Sequence, residues 1–120
     1  LIYLHSKNIM YWDMKPENIL LDENGNAALA DFGISKYLEL DERTYSFVGT
    51  PEYVAPEIIN QTGHGKTVDV WCLGILLYEM TYGIPPFYNK EQSLMLKWVL
   101  KLQPTFPSII KISNELKLLI

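Results

Sequence analysis

The stretch from Val68 to Thr81, VDVWCLGILLYEMT, constrains this chain more than any other part of it. Its pattern is helical and it is apolar on nearly every side. A helix of that kind belongs at the centre of a domain, with the rest of the chain packed round it. It is shorter than the roughly 18 apolar residues that a membrane span requires, and it carries Glu79. Ile84-Pro85-Pro86 breaks it, since proline removes a backbone donor and clashes with the preceding turn.

Weaker signals surround this helix. Residues 1–7 read as the end of a helix, and 8–18 as a polar loop that Pro16 keeps irregular. Two short apolar runs, Ile19–Leu21 and Ala27–Ala30, flank DENGN, whose Asn24-Gly25 pair predicts a small β-hairpin. From Asp31 to Glu57 there is little periodicity, so a long ordered loop is expected, and such loops usually carry function. Glu91–Leu102 reads as a helix with Met95, Trp98, Val99 and Leu102 on one side, either core or a docking face. Pro104 and Pro107 mark a linker, and a last helix begins near Ser113. Leu1 and Ile120 both fall inside apolar helical patterns, so residues 1–120 are expected to be one partial domain, cut at both ends.

The bulk numbers exclude several classes. With 120 residues, 48% hydrophobic and 20% charged, the chain has the composition of a single globular domain. A net charge of −4 with ten scattered Lys and Arg argues against nucleic acid as the main partner, because phosphate backbones call for clustered positive charge. Cys72 is the only cysteine and has no internal disulfide partner, which points to a reducing, cytoplasmic setting. No run is long enough to span a membrane. Gly65-Lys66-Thr67 ends like a phosphate-binding P-loop, but Asn60 stands where that loop needs glycine. His5, His64 and Cys72 are too dispersed for zinc, and His64, between two glycines, reads as a solvated loop residue.

The hairpin and its flanks bring chemistry together. Asn18 precedes the first predicted strand and Asp31 follows the second. Antiparallel pairing therefore makes them neighbours, opposed residues lying about 4.5–5.5 Å apart. An amide oxygen beside a carboxylate suits Mg²⁺, which takes one or two protein oxygens and completes its shell with water and phosphates. Asp13, on the same loop, is placed to receive a proton from an attacking hydroxyl. Lys15 can set positive charge against a phosphate in transfer. Taken alone, Asp13 is most simply a turn residue. The set of base, cation and metal ligands describes phosphoryl transfer.

That set resembles the protein kinase family. The motifs read YWDMKPEN at 11–18, LADFG at 29–33, GTPEYVAPE at 49–57 and DVWCLG at 69–74, in the family's order and spacing. The resemblance implies a mainly α, α+β C-terminal lobe in which a small β-hairpin carries the metal-binding loop. It implies ATP-dependent phosphorylation of serine or threonine in protein substrates. Asp13 then corresponds to the catalytic base, Lys15 to the phosphate-contacting lysine, and Asn18 and Asp31 to the Mg²⁺ ligands, with Leu20 beneath the adenine. Phe32, Gly33, Glu57 and Asp69 match structural positions, and Asp69 resembles a buried acid that accepts bonds from the catalytic-loop backbone. Lys15 and Thr50 fit the serine/threonine branch; GTPEY after Phe47-Val48, and Tyr11 in place of the loop histidine, fit its AGC group. Glu17 and Glu79 match positions that hold a substrate arginine, with solvated or locally paired glutamates as the other reading.

The departures are specific. The glycine-rich loop and the lysine–glutamate pair of the small lobe belong before Leu1, and the arginine partner expected for Glu57 belongs after Ile120. Trp12 stands where most of the family has an arginine that grips a phosphate on the activation loop. The match RTYSFVGT places Ser46 at the phosphorylated position. Trp12 fits a kinase not controlled by that phosphate, or a one-base change in the sequence. A catalytically inactive scaffold or binding module is the alternative to an enzyme.

Overall fold

The computed structural model describes residues 1–39 and 42–120; Leu40 and Asp41, within the predicted long loop, lie outside the described residues. Five α-helices and four short strands are present among them. The order is α1 (Ile2–Ser6), β1 (Ile9–Met10), β2 (Ile19–Leu21), β3 (Ala27–Leu29), β4 (Lys36–Tyr37), α2 (Pro56–Ile59), α3 (Thr67–Tyr82), α4 (Gln92–Lys101) and α5 (Asn114–Leu119). Single 3₁₀ turns occupy Pro16–Asn18 and Pro51–Tyr53, each with proline at its start, where the absent N–H is not needed.

α3 is the centre of the molecule. It gives Cys72, Ile75 and Leu76 to one buried cluster, with Tyr11, Met14 and Phe87, and Val68 to a second, with Met10, Trp12 and Leu38. Gly83 ends it in the left-handed region at φ 78°, its N–H bonded to Glu79 O at 2.7 Å. Burial is not all-round as the composition predicts: Val70 is 61% exposed and Met80 65%. Val70 lines an open apolar cavity of about 720 Å³ together with Trp71, Phe87 and Phe106. In α4, Met95 and Val99 are buried and Trp98 packs at the core's edge. Leu102, predicted on the same side, follows the helix end, where its backbone is already extended, and is half exposed. The Ser113 hydroxyl caps α5, accepting from Leu116 N at 3.1 Å.

The hairpin forms in the register Ile19↔Leu29, Leu20↔Ala28, Leu21↔Ala27. Its turn is organised by Asp22, whose Oδ1 accepts from Asn24 N (2.9 Å) and Asn26 N (2.8 Å) and whose Oδ2 accepts from Asn26 Nδ2 (2.8 Å). These bonds, the Asn26 side chain first, hold the Asp22 carboxyl below its ordinary pKa. Gly25 supplies the positive φ, 81°. A second two-stranded sheet, β1 with β4, ties the predicted polar loop to the predicted long loop.

Candidate active site

The loop between β1 and β2 is held from below by one carboxylate. Asp69, fully buried in the first turn of α3, accepts from Trp12 N through Oδ1 at 2.7 Å and from Tyr11 N through Oδ2 at 2.9 Å. His5 Nε2 also lies 2.7 Å from Oδ2. With its N–H fixed there, Trp12 adopts φ 73°, a left-handed conformation that a bulky residue rarely takes. The chain turns sharply and presents the next residue, Asp13.

Asp13 is the hub of a polar cluster. Its Oδ2 receives Lys15 Nζ at 2.9 Å and Asn18 Nδ2 at 2.9 Å, and its Oδ1 receives the Thr50 hydroxyl at 3.2 Å. Lys15 Nζ reaches Thr50 Oγ1 at 3.3 Å, and Asn18 Nδ2 also donates to Asp13 O at 2.9 Å. Hydrogen bonding to Asp13 raises the Lys15 pKa, so the ammonium stays charged. Both amide hydrogens of Asn18 go to Asp13, which leaves its Oδ1 as the atom able to meet a cation.

The hairpin brings in Asp31. Ala30 N donates to Asn18 O at 2.9 Å, so the residue after Ala30 lies beside the start of β2. Asp31 is exposed, has φ 52°, and accepts Gly33 N on Oδ1 at 2.9 Å. A Cβ at Gly33 would come within 3.0 Å of that oxygen, so glycine there leaves the carboxylate its place. Phe32 packs edge-on against Tyr11 at 5.3 Å, and the Tyr11 hydroxyl donates to Ala30 O. Leu20 is 56% exposed on the same side. Among the described residues no group of three or more His, Cys, Asp and Glu could hold a metal ion. An amide plus one carboxylate is the donor set on offer.

Glu17 and Glu79, far apart in sequence, line one pocket of about 200 Å³ with Thr50, Tyr53 and Glu52. Glu79 is locally paired: it accepts the Tyr53 hydroxyl, whose pKa is raised by burial and by that carboxylate. Glu52 and Tyr53 escaped the sequence reading, their only signal being membership of the GTPEY motif. Glu57 accepts from Thr67 Oγ1 at 3.4 Å, and no ion pair among the described residues includes it. Ser46 is exposed; its hydroxyl lies 3.3 Å from Thr44 Oγ1, which accepts from Lys36 Nζ at 3.0 Å. Cys72 donates its thiol to Tyr53 O, and burial pushes its pKa up to about 12, so it is inert. His64 corrects its sequence reading. It is 3% exposed rather than solvated, because a short backbone bridge to Thr44 pulls its ring under the long loop.

The fold and this cluster are those of a kinase lobe, and the chain belongs to the protein kinase family: the model of the protein kinase domain matches residues 1–120. It is 50% identical over 108 residues to Protein kinase 2 of Dictyostelium discoideum, covering 90% of this chain and 22% of that protein. It is 54% identical over 94 residues to human serine/threonine-protein kinase Sgk1, covering 78% of this chain and 22% of Sgk1. To the mouse cAMP-dependent protein kinase catalytic subunit PRKX it is 50% identical over 113 residues, covering 94% of this chain and 31% of the relative. Sgk1 and the cAMP-dependent kinase are of the AGC group to which the motifs pointed. The chain thus spans between a fifth and a third of the length of these relatives. No helix among the described residues is long and apolar enough to cross a membrane.

Proposed function

We propose that this chain is the larger part of the C-terminal lobe of a protein serine/threonine kinase and carries that enzyme's catalytic and metal-binding residues. The observation that supports this best is the Asp13–Lys15–Asn18–Thr50 cluster. The Asp13 Oδ1 already accepts a hydroxyl, that of Thr50, which is the interaction asked of a substrate serine or threonine. Asp13 orients the attacking hydroxyl and takes its proton, and Lys15 stabilises the charge on the phosphoryl group as it moves. Asn18 Oδ1 and the Asp31 carboxylate fit Mg²⁺ as hard oxygen donors. Bound there, the ion neutralises charge on the phosphates of ATP. Leu20 offers an apolar surface for the adenine. The small lobe that completes the nucleotide site would lie on another part of the protein.

The substrates implied are proteins with Ser or Thr preceded by arginine, read by Glu17 and Glu79; the name of Sgk1 favours Ser or Thr as the acceptor. Glu52 adds a third carboxylate to that pocket. The setting is cytoplasmic, where ATP is present. The intact set Asp13, Asn18 and Asp31 favours an enzyme over a catalytically inactive scaffold. The test uses the complete protein with its small lobe. Asp31→Ala should abolish Mg²⁺-dependent transfer with the fold retained, and Asp13→Asn should lower turnover far more than nucleotide affinity. Wild-type turnover in either variant would overturn the assignment.

A further inference from the structure

His64 is buried under the segment that carries Ser46, and neither Nδ1 nor Nε2 has a hydrogen-bond partner among the described residues. Its ring meets that of Trp12 at 5.0 Å between centroids, tilted by 63°. Trp12 is buried too, and its Nε1 likewise has no partner among the described residues. The backbone of His64 grips the segment in both directions: Thr44 N donates to His64 O at 2.9 Å, and His64 N to Thr44 O at 3.0 Å. Arg43 adds a bond to Gly63 O at 3.2 Å. Gly63, at φ 79°, admits the Tyr45 ring so closely that a Cβ would stand 3.0 Å from it. Trp12 is meanwhile pinned by Asp69, so the two rings connect the catalytic loop to the docked segment.

We propose that the Trp12–His64 ring pair positions the segment around Ser46 without any phosphate, and that it does so only while His64 is uncharged, so that acidification releases the segment. Several charges surround the ring. Glu57 of α2 favours an imidazolium, and Lys36 of β4 opposes it. Glu39, Glu42, Arg43 and Lys66 share the cavity that His64 lines, so both signs are present there. Trp12 brings no charge. Burial then decides: an imidazolium would bury two N–H donors that meet no hydrogen-bond acceptor among the described residues, and this desolvation holds the ring's pKa below its ordinary value. The linkage has one sign. Docking is at full strength above the pKa of the released histidine, about 6.5. Below it docking weakens by up to about tenfold per pH unit, until the docked ring itself protonates. A cation–π attraction to Trp12 would act the other way and tighten docking in acid.

Amide hydrogen exchange on the whole chain, corrected for the intrinsic pH dependence of exchange, separates these cases. Between about pH 7.5 and pH 5.5, protection at Thr44 and His64 should fall while that of Ile75 and Leu76 in α3 holds. His64→Phe should keep the segment docked with no pH dependence. His64→Gln, which cannot charge either, should show a flat profile even if its docking is looser. Protection that stays constant or rises in acid in the wild type, or an equal fall in both variants, would overturn the proposal. The readout does not involve phosphoryl transfer, so its failure is distinguishable from failure of the kinase assignment.

Discussion

Trp12 puts a ring, where the family resemblance implies a cation, at the point where the loop that carries Asp13 meets the segment around Ser46. A phosphate on Ser46 would add about −1.5 to −2 charges and would need cations to order the loop round it. Lys36 is within reach, through Thr44. The arginine that the resemblance implies is absent, and Trp12 instead lies edge-on to His64 in a buried contact. A charge-assisted hydrogen bond contributes about 1.5–3 kcal/mol, or roughly one to two powers of ten in an equilibrium. Losing it removes much of the difference between phosphorylated and unphosphorylated states. In the complete kinase, phosphate on Ser46 should therefore raise wild-type turnover less than about tenfold, and that of Trp12→Arg considerably more. The measurement is turnover of both proteins with and without the phosphate. Equal, large activation of the two would refute the expectation.

Among the elements, α3 does more than fill the core, because its first turn carries Asp69 into contact with the loop that holds Asp13. Three donors converge on that carboxylate, two of them buried backbone N–H groups. Leaving such a group unpaired costs about 1–3 kcal/mol, so Asp69→Ala should destabilise the fold by about 3–5 kcal/mol. Asp69→Asn, which keeps one acceptor oxygen, should lose less; denaturant titration of the complete kinase distinguishes them, and equal stability of wild type and Asp69→Ala would sink the idea. α3 and the hairpin were legible in the sequence because their signals are local: a long apolar run, and Asn24-Gly25 between two short ones. The β1–β4 pair was not legible. Each strand has only two residues, and the pairing depends on contacts between segments far apart in the chain. The burial of His64 was hidden for the same reason, since Gly63 and Gly65 beside it imitate a solvated turn. Of the candidate site, residue types and order could be read directly. That Thr50 bonds to Asp13 and Tyr53 to Glu79 needed the fold, because these residues are separated by dozens of positions in sequence.

At the scale of the whole molecule, the nucleotide site proposed for this lobe has one wall. Leu20, Phe32 and Asp31 lie exposed, and Val70, Phe106 and their neighbours line an open apolar cavity. Exposed apolar patches of this kind mark surfaces that other parts of a protein cover, or that associate when left bare. A chain that spans between 22% and 31% of its relatives is expected to show both consequences when made alone. It should self-associate, which sedimentation at tens of micromolar would detect; a sharp monomer peak would count against this. It should also fail to phosphorylate any substrate. Fixing ATP costs several kcal/mol of lost translational, rotational and internal freedom. Asn18, Asp31 and one apolar platform supply few contacts against that loss, and Lys15 is already engaged by Asp13 and Thr50. Titration calorimetry with Mg²⁺ and ATP should therefore give no saturable heat in the micromolar range. Micromolar binding by the isolated chain would show that this lobe holds the nucleotide unaided and would contradict the division of labour between lobes proposed for it.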